Sequence, residues 1–315
     1  MKKIEQFQIT SLMLSGFKSY EEPTELVFGN PTVITGGNGR GKSSIADAIA
    51  FAVTGCPFFG ERGIDRLHNE NNPDVAIRMC FVDETGTLHE LNRTRRKNRM
   101  TITYDGYEIR QLDLADLFGE RDVFLSIFNP LYFIEELGED GKKLLERYLP
   151  TIPHETVAAL QDMTAAQLPD FDREIAQANA NIAEIKRKMA DVIAYISKRA
   201  ELTFSQLKMN RVEISLYDVV KSTGEVKDTF KFQYGGRRYD RLSLSEKIRA
   251  GMEVSELMKR LTGRNYPVFV DNMESVDDLA NVRPTGQIIM AKCVSGAALQ
   301  VKPVRPIVFA EQRAA

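Results

Sequence analysis

The segment Gly36-Gly37-Asn38-Gly39-Arg40-Gly41-Lys42-Ser43 fits the pattern G-x-x-x-x-G-K-[ST], and its residue types suit one task, the holding of phosphate. Glycines let successive backbone N–H groups turn inward around phosphate oxygens, and the start of a following helix adds a favourable dipole. Lys42 would reach β and γ phosphates. Ser43 would offer its hydroxyl to Mg2+, a small hard cation that needs only one or two protein oxygens. Gly36, Asn38, Gly39, Gly41, Lys42, Ser43 and Ser44 are therefore the candidate nucleotide-binding residues. A glycine-rich turn with a chance Lys-Ser is the competing reading, and it carries little weight between an apolar run and a helical pattern.

A phosphate loop that holds a metal also needs an acidic residue at the end of a buried strand. Tyr266-Pro267-Val268-Phe269-Val270-Asp271 offers Asp271, which joins Ser43 as a candidate metal ligand. The two lie more than two hundred residues apart, far more than a compact nucleotide-binding domain needs, so one domain is split by an insertion. Between them, Leu242-Ser243-Leu244-Ser245-Glu246-Lys247 opens a helix. Ser243 and Glu246 make a capping box. The alternative is that Ser243 and the free N–H groups of the helix start grip the γ-phosphate of a nucleotide held by a second copy of the chain.

The elements that must position these residues are legible from periodicity. Ile9 to Phe17, Glu25 to Phe28 and Pro31 to Thr35 read as strands, the last stopping at the glycine loop. A helix follows, with Ile45, Ala48, Ile49 and Ala52 on one face and Gly55 as its stop. Val75 to Arg110 alternates as an antiparallel sheet with turns at Glu84-Thr85-Gly86 and Asp105-Gly106. Leu112 to Tyr148 reads as mainly helical with an apolar interruption, FLSIFNPLYF, and Pro150 and Pro153 end it. From Leu168 through Phe171, Ile175, Ala178, Ile182, Ile185, Met189 and Val192 to Ile196 the apolar steps are three and four, a heptad seam. Such a seam needs a partner helix, and Glu155 to Gln167 is the nearest candidate for a short coiled-coil hairpin; an amphipathic core helix is the alternative. Strands return at Asn210 to Val220 and Asp228 to Tyr234, separated by a turn at Ser222-Thr223-Gly224. A helix carrying Ile248, Met252, Leu257 and Leu261 then ends at Gly263, ahead of the strand that closes on Asp271. Helix and buried strand in alternation predict an α/β core.

The chain's 315 residues fit about two domains, or one with an insertion. With 43% apolar and 27% charged residues it belongs among globular chains. Forty-two Lys plus Arg against forty-four Asp plus Glu leave a net charge of −2, so any binding to nucleic acid must be local. Cys56, Cys80 and Cys293 lie far apart, which suits neither a disulfide framework nor a Cys-x-x-Cys metal site and points to a reducing, cytoplasmic setting. The first residues lack the apolar run of a signal peptide, and no stretch reaches the 18 or so apolar residues of a membrane span.

Four segments together carry a family resemblance. Ser15 to Gly55 (SGFKSYEEPTELVFGNPTVITGGNGRGKSSIADAIAFAVTG) resembles the amino-terminal lobe of the SMC, RecF and SbcC group of ATP-binding-cassette ATPases. FNPLYFIEELGEDGKKLLERYL is similar to that group's Q-loop segment and the helix leading into the coiled coil, RLSLSEKIRAGME to its signature motif, and VFVDNMESVDD to its Walker B motif and D-loop. The resemblance implies a P-loop head of α/β class with a mixed sheet, an antiparallel β subdomain and a short helical hairpin insertion. On that pattern residues 1–153 form the amino-terminal lobe, 154–204 the hairpin, and 205–315 the carboxy-terminal lobe. It further implies a homodimer closed around two Mg-ATP, in which Ser243 and Leu244 contact the partner's nucleotide, Lys18 lies by the adenine or phosphates, and Asp278 falls in the D-loop. Asn129 stands roughly where a Q-loop Gln would bind Mg2+.

The departures bear on turnover. The family usually places Glu directly after the Walker B Asp as general base, and here that place holds Asn272, which can orient water but cannot take its proton. Glu274 is the obvious substitute, either as base or as a loop residue at the dimer seam. The family's switch His is absent, with Lys292 near its place, and His68, His89 and His154 read as surface or core residues. Lys42, Asp271, Asn272 and Glu274 are thus the candidate catalytic set, and hydrolysis is expected to be slow and stimulated by DNA. The hairpin lacks the cysteines of a zinc hook, so no zinc is expected. For DNA backbone contact the candidates are Arg93, Arg95, Arg96 and Lys97, with Lys186, Arg187, Lys188, Lys198 and Arg199 as a second patch; the bland reading is a charged, solvated sheet edge. The acids form no nuclease metal cluster, so any cutting falls to a partner subunit at the base of the coiled coil. A nucleotide-gated clamp or scaffold that does not hydrolyse is the rival reading.

Overall fold

Alternating burial along Phe7–Ser15 (β1) sets the frame of the molecule, a long strand that pairs antiparallel on both sides. The computed structural model describes residues 2–61, 66–96, 99–150, 181–206, 209–219, 226–276, 279, 282 and 284–305. After β1 come Thr24–Val27 (β2), Thr32–Gly36 (β3), helix Lys42–Thr54 (α1), Val75–Asp83 (β4), Leu88–Arg96 (β5), Arg99–Tyr104 (β6) and Tyr107–Ile109 (β7). Helices Gln111–Phe118 (α2) and Arg121–Phe128 (α3) and a π-helical turn at Phe133–Leu137 follow. The chain divides into two compact units, Met1–Gly138 with Leu242–Ala315, and Glu139–Arg241.

The second unit contains helices Glu139–Tyr148 (α4) and Asn181–Gln206 (α5) and the three-stranded sheet of Val212–Val219 (β8), Val226–Tyr234 (β9) and Arg237–Arg238 (β10), in the order β10-β9-β8. Lys142 on α4 donates to Leu216 O on β8 at 3.2 Å. On α5, Ile185, Met189 and Val192 are exposed at the steps of the heptad seam. The rest of the seam before Asn181, its candidate partner helix, the turn at Ser222 to Gly224, His154, Lys97 and Asp278 lie outside the described residues.

Leu244–Thr262 (α6), Val268–Val270 (β11), a 3-10 turn at Met273–Ser275, Ile288–Cys293 (β12) and Gln300–Pro303 (β13) complete the first unit. Its two sheets differ in kind. One is antiparallel, β2-β1-β4-β5-β6-β7, and the other is mixed, β11-β12-β3-β13, with β11, β12 and β3 parallel and β13 antiparallel. Helix α1 is buried along almost its whole length, as expected of a core helix, and packs on β3, β4 and β5 as well as α2 and α3. The same unit holds an aromatic core that includes Phe7, Phe81, Phe118, Phe124 and Tyr266, with ring centroids 5.2 to 6.5 Å apart. Full burial of each such ring contributes about 1.5–3 kcal/mol.

The apolar interruption expected within Leu112 to Tyr148 is helical up to Phe128 and again from Tyr132, with a turn at Asn129 to Leu131 between; α3 is almost wholly buried, so its apolar residues do not reveal a single face. Helix α6 packs against α3, where Ser255 Oγ donates to Ile127 O at 2.5 Å. At Gly251 a Cβ would fall 1.8 Å from Pro130 O, so this close approach demands glycine.

Candidate functional site

Parallel pairing brings the carboxyl ends of β3, β12 and β11 to the same edge of the mixed sheet, which is where open α/β sheets place their ligands. Gly36 ends β3, Cys293 ends β12 and Asp271 follows β11 directly. Ser19, Asn38, Gly39, Gly41, Lys42, Ser43, Ser44, Asp271, Asn272, Glu274 and Cys293 line an open cleft of about 210 Å³ there.

Gly39 and Gly41 have φ of 74° and 86°, the left-handed region open to glycine. No atom lies within 4 Å of a Cβ built on Gly39, so that side of the loop is open. At Gly41 a Cβ would meet the Tyr20 ring at 3.1 Å, and Tyr20 OH donates to Gly41 O at 3.2 Å. Burial pushes the Tyr20 phenol well above its ordinary pKa. Lys42, 8% exposed, donates from Nζ to Gly36 O and Gly37 O, both at 3.0 Å, so its charge lies within the loop. Ser43 Oγ donates to Asp271 Oδ2 at 2.7 Å.

That last pair is the test of fit for a metal. Two oxygens bound side by side to an octahedral Mg2+ at about 2.1 Å would stand about 3 Å apart, and Ser43 and Asp271 are already within that spacing. Ser43, Asp271 and the open glycine loop therefore suit Mg2+ and a polyphosphate together. Asn272 adopts a left-handed conformation, φ 56°, and its N–H donates to Asp271 Oδ1 at 2.9 Å. Glu274 Oε2 accepts from Cys293 N at 2.9 Å, and Cys293 Sγ donates to Asn38 Oδ1 at 2.9 Å.

Other expected residues lie elsewhere. Lys18, itself at φ 45°, pairs its Nζ with Asp47 Oδ2 on α1 at 2.5 Å and is not among the residues lining the cleft. Ser243 is the N-cap of α6, bonded reciprocally with Glu246, and Leu244 beside it is 42% exposed; neither lines the cleft. Asn129 does not stand ready for a metal. It is buried, its Nδ2 donates to Phe58 O at 3.0 Å and its Oδ1 accepts from Leu131 N at 3.0 Å, so its amide shapes the turn after α3.

Arg93 is not a surface cation. It is 2% exposed, and its guanidinium donates to Ala52 O at 3.1 and 3.2 Å and to Gln111 Oε1 at 2.5 Å, while Gln111 Nε2 donates to Val53 O at 3.1 Å. These bonds satisfy carbonyls of the last turn of α1, where a cation also meets the favourable end of the helix dipole. Arg93 thus fixes the helix that carries Lys42 and Ser43. Arg95 is half-buried and Arg96 exposed at the end of β5. Lys292 is exposed, whereas its neighbour Cys293 turns into the cleft.

Sequence reasoning missed two cleft residues, Ser19 and Cys293. Ser19 Oγ lies 3.4 Å from Ser44 Oγ. For Cys293 a signal existed: alternation along β12 gives Lys292 and Cys293 opposite faces, and only one of them can face the loop.

The fold and the cleft define a P-loop α/β head with a second unit set into the chain. A family model described as an AAA domain matches residues 11–208. The chromosome partition protein Smc of Mycolicibacterium paratuberculosis is 23% identical over 261 residues, covering 73% of this chain and 21% of that protein. The DNA replication and repair protein RecF of Desulforamulus reducens is 28% identical over 112 residues, covering 36% of this chain and 29% of that protein. A solved structure of the recombination mediator protein RecF with ATP aligns over 94% of this chain and 95% of that one, with 13% identity and a TM-score of 0.49. The chain belongs to the AAA domain family, as a head of the SMC and RecF type of ATP-binding-cassette ATPases. It spans between about a tenth and about a fifth of the length of the Smc relatives it matches. Among the described residues no helix is long and apolar enough to cross a membrane.

Proposed function

We propose that this chain binds Mg-ATP in the cleft at the edge of the mixed sheet, hydrolyses it slowly, and couples the nucleotide cycle to DNA in repair or recombination. The observation that carries the reading is the 2.7 Å contact between Ser43 and Asp271, which joins the glycine loop to the end of a buried strand. The loop N–H groups and Lys42 bind the phosphates, and Lys42 exchanges its two backbone partners for phosphate oxygens. Mg2+, held by Ser43 and Asp271, would supply positive charge to neutralise the oxygens of the transferring phosphoryl group. Asn272 orients the attacking water and Glu274, two residues on, receives its proton.

A homodimer closing around ATP gives Ser243 and Leu244 their role, because the exposed start of α6 does not line the phosphate cleft of its own chain. DNA is held by its backbone through Arg95 and Arg96 at the end of β5 and through Lys97, the next residue in the sequence. A nuclease subunit at the base of the coiled coil supplies any cleavage. Lys42→Ala tests the reading: it should abolish ATP binding and turnover, and ATP hydrolysis equal to wild type would refute it.

A second reading, a nucleotide-gated clamp with negligible hydrolysis, is favoured by one observation. The Glu274 carboxylate is engaged by Cys293 N, and the residue next to Asp271 is an amide. ATP-dependent dimerisation without turnover is the outcome that selects it.

A further inference from the structure

β12 is the strand between β3 and β11, and its last residue, Cys293, stands in register with Gly36 at the start of the glycine loop. From that position Cys293 makes two bonds in different directions. Its Sγ–H donates to Asn38 Oδ1 in the loop, and its backbone N–H donates to Glu274 Oε2 on the 3-10 turn beyond Asp271, each at 2.9 Å. One residue therefore touches the part of the cleft that holds phosphate and the carboxylate suited to accept a proton. The backbone arm is fixed by the pairing of β12 with β3, and the thiol arm depends on the side chain.

We infer that Cys293 is a positioning residue for ATP hydrolysis, tethering Asn38 to Glu274 so that the phosphate loop and the carboxylate keep one separation across the cleft. The inference rests on the hydrolytic reading of the cleft. Without the thiol, Asn38 loses its side-chain anchor on β12 while the strand pairing and the backbone hold on Glu274 persist, so the loop is free to shift relative to Glu274 and the separation across the cleft is no longer fixed, although nucleotide still binds. A hydroxyl in place of the thiol can donate to the same oxygen, whereas a methyl group cannot.

Two measurements on the full chain test this. In the protein without nucleotide, Asn38→Ala should raise the rate of iodoacetamide alkylation at Cys293 several-fold, read by mass spectrometry, with Cys56 and Cys80 unchanged; an unchanged rate at Cys293 overturns the tether whatever the ATPase assay gives. In turnover, Cys293→Ala and Asn38→Ala should each lower kcat about tenfold, and Cys293→Ala should leave KM and the affinity for a fluorescent ATP analogue within about twofold to threefold of wild type. The double variant should be no slower than either single one, because both remove the same contact. Cys293→Ser should restore kcat to within about twofold of wild type. Additive losses, a rise in KM in place of a fall in kcat, or Cys293→Ser as slow as Cys293→Ala would overturn the inference and leave the ATPase reading standing. No turnover by wild type would overturn that reading, and the inference with it.

Discussion

At the scale of single residues, the cleft is built by side chains held through short contacts to neighbours in space, several of them distant in sequence. Tyr20 buttresses the glycine loop from outside, and Gly41 leaves no room for a side chain between them. Gly41→Ala should therefore destabilise the protein by more than about 1 kcal/mol, through the positive φ as well as the contact, and weaken nucleotide binding; chemical denaturation and a binding titration measure both effects. Burial raises the phenol pKa of Tyr20, Tyr104 and Tyr132 above the ordinary 10. The folded state holds these protons more tightly than the unfolded chain. Their stabilisation is complete below pH 10 and is lost as pH rises beyond it. Denaturation midpoints should fall above pH 10, and Tyr20→Phe should make that fall shallower; equal slopes would contradict the assignment. The glycine loop, Lys42, Ser43 and Asp271 were legible in the sequence because their spacing is tied to phosphate chemistry. Cys293 was legible only in part: alternation sets it on the face opposite Lys292, but which of the two faces the loop is decided by its register with Gly36.

At the scale of elements, parity explains the residue that was misread. Leu91 and Arg93 lie two apart on β5, hence on one face, and both are buried. The same parity in the sequence HELNRTR was available, but the basic run around Arg93 reads more readily as a surface. Arg93→Ala should then act through stability, costing about 2–4 kcal/mol by leaving the α1 carbonyls and Gln111 without their donor. Arg95→Ala with Arg96→Ala should instead weaken DNA binding and reduce its salt slope by roughly two, with little change in stability. Thermal melts beside DNA titrations at several salt concentrations separate these outcomes. Gln287 shows what periodicity cannot reveal. Fully buried, it accepts from Ile9 N at 2.6 Å and donates to Ile9 O at 2.8 Å and Gly29 O at 3.1 Å, so one side chain just ahead of β12 bonds to β1, where the register with β4 shifts beyond Ile9. Gln287→Leu should cost about 2–3 kcal/mol because backbone groups of Ile9 are left buried without partners, measurable by chemical denaturation. No local pattern distinguishes such a glutamine from a surface one.

At the scale of the whole molecule, the chain order separates Ser43 from Asp271 and the parallel pairing of β3, β12 and β11 reunites them. The α/β class and most strands were legible because alternation and strand-to-helix succession are local properties. The antiparallel return of β13 onto β3 was not, since QVKP is short and its pairing partner lies at the other end of the sequence. The cleft is proposed to hydrolyse ATP. Steady-state hydrolysis by wild type, Lys42→Ala and Glu274→Gln, with and without duplex DNA and alongside ATP-dependent dimerisation by light scattering, tests this most directly. The expected result is slow, DNA-stimulated turnover by wild type, none above background by Lys42→Ala, a loss on the order of 100-fold in Glu274→Gln, and Glu274→Gln trapped as an ATP-bound dimer. Turnover by wild type no faster than by Lys42→Ala would contradict the claim, and dimerisation with ATP under the same conditions would make the protein a nucleotide-gated clamp.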